Sequence, residues 1–89
     1  MEVILVEVTS PAGASTAHRH PGFVLGYVLD GDLQFAINGG VPEVVKAGGT
    51  FFEPAGALHT TGASAKPDKP VRFLAFIVGP AGSPVVLPA

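Results

Sequence analysis

Prolines and glycines interrupt this chain too often for a helix of useful length. The sequence contains 12 glycines and 9 prolines among 89 residues, and both residue types destabilise a helix interior. Short apolar or β-branched segments lie between turn signals at near-regular intervals, a pattern typical of a β-sandwich or β-barrel. We therefore predict an all-β fold, in a single small domain over residues 1–89.

The turn signals divide the chain into seven or eight short predicted strands. The extended segments are residues 2–9, 15–20, 23–29, 33–37, 42–47, 50–53, 59–63 and 71–78. Aspartate, asparagine and glycine mark the tightest turns, at residues 30–32 and 38–40, because these residue types tolerate turn conformations. Residues 64–70 form the one polar, proline-rich loop. Residues 42–47 are expected to be an edge strand.

Three histidines are the main candidates for chemistry. His18 and His20 lie one residue apart in an extended segment, so both imidazoles point to the same face of the strand. His59, the only other histidine, opens a later strand after a turn. If strand pairing brings His59 beside the other two, all three imidazoles meet at one point and can bind a metal ion. The alternative is three unrelated surface or core imidazoles.

Two motifs around these histidines resemble the motifs of the cupin family. The first spans residues 13–31, with a glycine at each end and the His18-Arg19-His20 segment between them. The second spans residues 48–59 and has a glycine, a proline, a second glycine and His59 at family-like spacing. The resemblance covers roughly residues 3–79. It implies a double-stranded β-helix, that is, a jelly-roll (cupin) barrel.

The sequence departs from the family pattern at two positions. The family glutamate falls at Val24 and the closing asparagine falls at Ala63. The resemblance therefore implies a metal held by His18, His20 and His59 without a carboxylate ligand. Three protein ligands leave coordination positions open, as in catalytic sites. Imidazole suits iron, copper, zinc and nickel, so we expect a divalent transition metal of this group. A relic site without metal is the alternative.

The residues around the expected metal predict an apolar pocket. Val24 and Gly26 share the strand face that carries the expected ligand position, and we predict that they form a pocket wall. Gln34 and Thr61 are predicted polar pocket groups, although outward orientation is the alternative for both. Glu53 immediately precedes a proline, and we expect it to be solvated, as we do the other acidic residues near turns. Such a pocket has few groups for proton transfer.

These features favour a metal-dependent oxidoreductase of the dioxygenase type, acting on a small oxygenated organic substrate. The reasons are three imidazole ligands, open coordination positions, an apolar pocket and no obvious general base. Two alternatives stay open. One is a non-catalytic module that binds a small ligand. The other is a zinc-dependent lyase or hydrolase, in which the ion activates water or polarises a carbonyl group.

Charge and hydrophobicity limit the classes of molecule that this chain is expected to bind. The net charge is −2 and there is no basic cluster, which argues against nucleic acid and against an anionic membrane surface. No apolar run approaches the roughly 18 residues of a membrane span. The sequence has no cysteine and no visible signal peptide, and its localisation stays open. Phe23, Leu25, Tyr27 and Leu29 share the outer strand face and predict a homodimer, unless they pack within one subunit.

Overall fold

A computed structural model describes residues 1–13 and 17–82 and the backbone of residues 87–88. Every named element is a β-strand. The strands are β1 (Glu2–Ser10), β2 (His18–Arg19), β3 (Phe23–Asp30), β4 (Asp32–Ile37), β5 (Glu43–Lys46), β6 (Thr50–Glu53), β7 (Leu58–Ser64), β8 (Val71–Gly79) and β9 (Leu87–Pro88). The prediction of an all-β fold is confirmed. The predicted extended segment 15–20 is shorter in the structure, where β2 has two residues, and residues 14–16 lie outside the described part of the chain.

The strands form two sheets. The four-stranded sheet has the order β1-β8-β3-β6, and the five-stranded sheet has the order β5-β4-β7-β2-β9. All strand pairs within them are antiparallel. Except for β4 and β5, neighbouring strands in each sheet are not consecutive along the chain, which is the interleaved arrangement of a jelly roll. The prediction of a double-stranded β-helix is confirmed.

The core lies between the two sheets and follows from strand alternation. In β3, Val24 and Val28 are almost fully buried, while Leu25 and Tyr27 between them are exposed. Leu33 of β4 faces the same core from the other sheet. Each such buried aliphatic side chain contributes about 1.5–3 kcal/mol relative to an exposed one. The alternation breaks at Leu29, which is half-buried, because the pairing of β3 with β8 shifts register there.

A cluster of aromatic rings fills part of the core. Phe51 of β6 contacts Phe35 of β4 and Phe73 of β8, with ring centroids 4.8 and 5.5 Å apart. The ring of Phe51 also covers Gly26, its direct partner across β3 and β6. A Cβ atom at Gly26 would lie 2.0 Å from the tip of that ring. Any larger residue at Gly26 would therefore require the Phe51 ring to shift.

The tight turns predicted from the sequence are present. Gly31, between β3 and β4, has φ of 85°, and Asn38 and Gly39, after β4, have φ of 53° and 72°. These left-handed conformations favour glycine and asparagine. The backbone of Asn38 also donates to the Leu58 carbonyl at 2.7 Å, and its Oδ1 accepts from the Leu58 amide at 3.0 Å. This double contact fixes the start of β7, one residue before His59. Among the described residues, no helix is long and apolar enough to cross a bilayer.

Candidate metal centre

Strand pairing brings His18 and His59 together. The two residues are direct partners across β2 and β7, although 41 positions separate them along the chain. The Nε2 atom of His18 lies 3.2 Å from the Nδ1 atom of His59. Side chains of directly paired residues share a face of the sheet, and here that face is turned towards the other sheet.

His20 completes the imidazole cluster. Its Nε2 atom lies 3.1 Å from the Nε2 atom of His18, and its side chain is buried. Arg19, between the two histidines, points away from them and donates to the Gly56 carbonyl at 2.7 Å, while the Gly56 amide donates to the His20 carbonyl at 3.0 Å. These bonds tie the turn before β7 to the β2 segment. They hold the first two imidazoles in register with His59.

A carboxylate reaches the same point from the other sheet. Glu53, at the end of β6, is only 2% exposed. Its Oε1 atom lies 3.3 Å from His59 Nδ1 and 3.9 Å from His20 Nε2. The prediction that Glu53 is solvated is wrong. Alternation in β6 explains its position, because Phe51 points into the core and Glu53, two residues later, shares that face.

Glu53 stands opposite the position where the family pattern expects a glutamate. Its direct partner across β3 and β6 is Val24, and both side chains line the same cavity. Valine at residue 24 cannot coordinate a metal, but the carboxylate of the facing residue occupies the same region. The expectation of a site without a carboxylate is therefore corrected by the position of Glu53.

The tautomer of His59 follows from one hydrogen bond. Its Nε2 atom lies 2.8 Å from the Thr61 carbonyl, and a carbonyl only accepts, so Nε2 carries the proton. The lone pair is then on Nδ1, which faces His18 and Glu53. A hydrogen bond to a backbone carbonyl is the usual way to orient a metal-binding histidine. Gly62 makes room for this ring, because a Cβ there would lie 2.6 Å from His59 Nε2.

Burial shifts the titration of two of these groups. It raises the pKa of Glu53 to about 7. Burial, and then repulsion from His18, lowers the pKa of His59 to about 4. At neutral pH His59 is therefore an uncharged imidazole, the form that binds metals. Both shifts have the same physical reason, which is that the charged forms are poorly solvated inside the barrel.

The geometry of the cluster fits a cation. One ligand atom from each of His18, His20, Glu53 and His59 lies within 4.8 Å of all the others. Ligands bound to one ion at 2.0–2.2 Å are about 3–3.5 Å apart in tetrahedral or octahedral sites, which matches the three shorter separations above. Among the residues that the structure describes, Glu53 Oε1 is buried without a hydrogen-bond partner. A cation would satisfy this oxygen and the converging lone pairs together.

The cluster lies at a small apolar cavity. The cavity has a volume of about 280 Å³, near the lower end of the range for ligand pockets. Its lining comprises the four cluster residues and Val6, Val8, Ser10, Val24, Phe51, Gly62, Phe73, Ala75 and Ile77. A molecule that fits there is small and mostly apolar.

Of the four predicted pocket residues, only Val24 lines this cavity. Gly26 lies beneath the Phe51 ring, which separates it from the cavity. Gln34 is exposed, because Leu33 and Phe35 on either side of it point inward. Thr61 contributes its carbonyl to His59, but its side chain is not part of the lining. A bulge in β7 explains the position of Thr61. Ile37 pairs with His59, where regular pairing would place residue 60. Alternation is shifted by one residue, so Gly62 rather than Thr61 lies on the same face as His59.

The sequence also matches a known domain family. Residues 5–77 match the Cupin_2 family, described as the cupin domain, and this match covers most of the chain. The chain is a cupin. The search of curated proteins finds no match.

Solved structures similar to this cupin include several enzymes. The DMSP lyase DddQ from Ruegeria pomeroyi DSS-3 is 28% identical with a TM-score of 0.79, over 96% of this chain and 42% of that protein. The polyketide cyclase RemF from Streptomyces resistomycificus is 30% identical with a TM-score of 0.75, over 98% and 60%. An oxalate oxidase in complex with glycolate is 27% identical with a TM-score of 0.70, over 90% and 44%. This cupin thus spans about half of the length of these proteins.

Sequence reasoning missed two residues of this cupin's site. Glu53 had one available signal, its spacing of two residues from Phe51 in a strand. That signal was ambiguous, because Phe52 is as apolar as Phe51. If Phe52 faced the core instead, alternation would point Glu53 outward. Gly62 had the signal of an isolated glycine within a strand, which often marks a close approach of another group. In this cupin the approaching group is the His59 ring.

Proposed function

We propose that this cupin is a metal-dependent enzyme that binds a small oxygenated organic substrate at His18, His20, His59 and Glu53. The observation that carries the proposal is the convergence of these four side chains from both sheets at an apolar cavity. Three protein imidazoles and one carboxylate leave room for substrate in a five- or six-coordinate site. Metal, substrate and reaction are all parts of the proposal.

The reaction that the site supports best is that of an oxidoreductase of the dioxygenase type. Mixed imidazole and carboxylate ligands with open positions are typical of non-haem iron oxygenases. The imidazoles suit iron, copper, zinc and nickel alike, and the Glu53 oxygen adds manganese as a candidate. A bound redox-active ion would supply the electron transfer. The similarity to an oxalate oxidase over 90% of this chain supports an oxidative reaction.

The chain's own residues have three tasks in this reaction. The His59 ring is held by the Thr61 carbonyl, so its Nδ1 lone pair stays aimed into the site. The carboxylate of Glu53 lowers the net charge of the centre. The aliphatic wall that includes Val24 favours substrates with apolar bodies.

A second candidate is lyase or hydrolase chemistry with a zinc-like ion. The observation that favours it is Glu53, because a carboxyl group whose pKa is raised to about 7 can exchange protons near neutral pH. The sequence predicted a pocket with few groups for proton transfer, and Glu53 at the cavity is one such group. Similarity to a DMSP lyase and to a polyketide cyclase also fits this candidate.

One metal-exchange experiment separates these candidates. The metal-free protein is loaded in turn with iron, copper, manganese, zinc and nickel, and offered diketones, flavonols, catechols and small carboxylic acids. Oxygen uptake with a redox-active metal, abolished in His59→Ala, supports the oxidoreductase. Turnover of the zinc form under strict anaerobiosis supports the lyase or hydrolase. Saturable thermal stabilisation by a ligand without product means a binding module and refutes the enzymatic proposal.

We also propose that this cupin is a homodimer. The support is the exposure of Phe23, Leu25 and Tyr27 on the outer face of β3. Sedimentation of the purified protein tests this state directly.

A further inference from the structure

Ser10 has the one polar side chain of the cavity lining outside the metal cluster, among the residues that the structure describes. It is the last residue of β1 and follows Val6 and Val8, which also line the cavity. These three half-buried residues alternate with exposed residues of the same strand. Strand alternation therefore turns the Ser10 side chain inward.

The chain just after Ser10 is anchored to the strand that carries the metal cluster. The Pro11 carbonyl accepts a hydrogen bond from the Ser64 amide at 3.1 Å, and Ala12 forms a parallel bridge with Ser64. Ser64 is the last residue of β7, and His59 lies near the start of the same strand. The position of the Ser10 hydroxyl relative to the cluster is therefore fixed through β7.

The cavity can neutralise one negative charge of a bound molecule but not two. Among the described residues, its lining contains no lysine or arginine, and its ionisable side chains are those of the four cluster residues. A divalent ion together with the Glu53 carboxylate leaves one positive charge at the centre, which attracts one anionic group. A second anionic group would be buried against apolar side chains without a partner, which is strongly unfavourable.

We propose that the substrate has a single anionic head for the metal and, at its other end, an uncharged oxygen group that the Ser10 hydroxyl binds. This inference rests on the proposed metal-dependent function, because the head is placed at the cluster. A serine hydroxyl both donates and accepts, so it fits a hydroxyl, carbonyl or ether group. The cavity of about 280 Å³ has room for about nine non-hydrogen atoms, at about 30 Å³ each. The substrate class is a short oxygenated monoanion, and dicarboxylic acids are excluded.

Three hydroxamates test this assignment on the zinc-loaded protein. They share the hydroxamate head, which binds zinc as an anion, and a four-carbon spacer that ends in a methyl, a hydroxyl or a carboxylate group. Titration calorimetry measures each affinity. In the wild type, the carboxylate-ended compound should bind at least about tenfold more weakly than the hydroxyl-ended one. In Ser10→Ala, the ratio of hydroxyl-ended to methyl-ended affinity should fall about 3–10-fold, because one hydrogen bond is lost.

Two measurements separate this role of Ser10 from a structural one. Ser10→Ala should keep the wild-type zinc affinity and the wild-type β-sheet circular dichroism. If it alters the circular dichroism, Ser10→Gly takes its place. Thr9→Ala is the matched control, because Thr9 is the exposed neighbour of Ser10 on β1, and it should leave all three affinities unchanged.

An affinity ratio that Ser10→Ala leaves unchanged overturns the inference. A ratio that Thr9→Ala lowers equally, or a carboxylate-ended compound that binds as tightly as the hydroxyl-ended one, also overturns it. In these cases the proposed function stands as long as hydroxamate binding depends on zinc. If the three compounds bind equally well without zinc, the metal site itself is wrong and the inference fails with it.

Discussion

Replacing Glu53 by glutamine should stabilise the protein when it contains no metal. The buried carboxyl group has a pKa of about 7, against 4.5 for an ordinary glutamate. A raised carboxyl pKa means that the folded state binds its proton more tightly than the unfolded state does. Stability from this group is therefore present below pH 4.5 and lost as the pH rises towards and through 7.

The magnitude follows from the size of the shift. A difference from 4.5 to about 7 corresponds to about 3 kcal/mol at pH 8. Water that enters the cavity screens part of this cost, so we expect a gain of about 2 kcal/mol for Glu53→Gln at pH 8. At pH 5 the gain should fall below about 1 kcal/mol, because folded Glu53 is then protonated and resembles glutamine. His59 is present in both proteins, and its own pH dependence largely cancels in the difference.

Urea denaturation of chelator-treated protein at one fixed concentration measures this gain. In thermal unfolding, about 2 kcal/mol corresponds to a rise on the order of 10 °C for a domain of this size. Glu43→Gln is the matched control, since Glu43 is exposed on β5, and it should change stability by less than about 0.5 kcal/mol. With saturating metal the stability advantage of Glu53→Gln over the wild type should shrink or reverse. The reason is that loss of one ligand weakens metal binding at least about tenfold, or 1.4 kcal/mol.

Two results would refute this reasoning. If metal-free Glu53→Gln is less stable than the wild type at pH 8, the carboxylate is well satisfied inside the protein and no cation is needed to explain it. If the variant binds zinc as tightly as the wild type, Glu53 does not contribute to the metal site. The second result leaves the three histidines as the whole ligand set, which is the set that the family resemblance alone implied.

Three further experiments test the geometry around the site. Gly62→Ala should weaken metal binding by about 10–100-fold, because its Cβ would displace the His59 ring from the carbonyl that orients it; titration calorimetry measures this, and unchanged affinity would contradict it. Gly26→Ala should cost about 1–3 kcal/mol in urea denaturation through overpacking against the facing phenylalanine, and no loss would mean that the ring moves aside freely. Glu53→Val should lower metal affinity, and Val24→Glu added to it should restore at least part of it, since the two positions are direct partners at one cavity. No recovery would show that the positions are not equivalent.

Local sequence signals predicted most of the strands. β6 was predicted at residues 50–53, as observed, because Gly48-Gly49 and Pro54 close both ends of the segment. β8 was predicted to within one residue at its end. Proline restricts its own backbone and glycine widens the range of its own backbone, so their effect does not depend on distant contacts. Strand bounds of this kind can be read from a single sequence.

Convergence of the histidines depended on information that is not local. Alternation placed His18 and His20 on one face, but nothing near His59 identifies β2 as its partner. The pairing of residues 41 positions apart was supplied by the resemblance to the cupin motifs. The bulge at residue 60 had no sequence signal, and it turned Thr61 away from the cavity and Gly62 towards it. Tertiary packing decides such shifts.

The position of Glu53 shows why a missing motif residue is weak evidence for a missing ligand. A motif records positions along one strand, whereas a metal ion responds only to where donor atoms lie in space. Residues 24 and 53 are direct partners across β3 and β6 but 29 positions apart in sequence, and their side chains share one face. A carboxylate on either strand can therefore serve the same centre. Valine at residue 24 and the carboxylate of Glu53 therefore fit one site, to which the neighbouring strand supplies the acid.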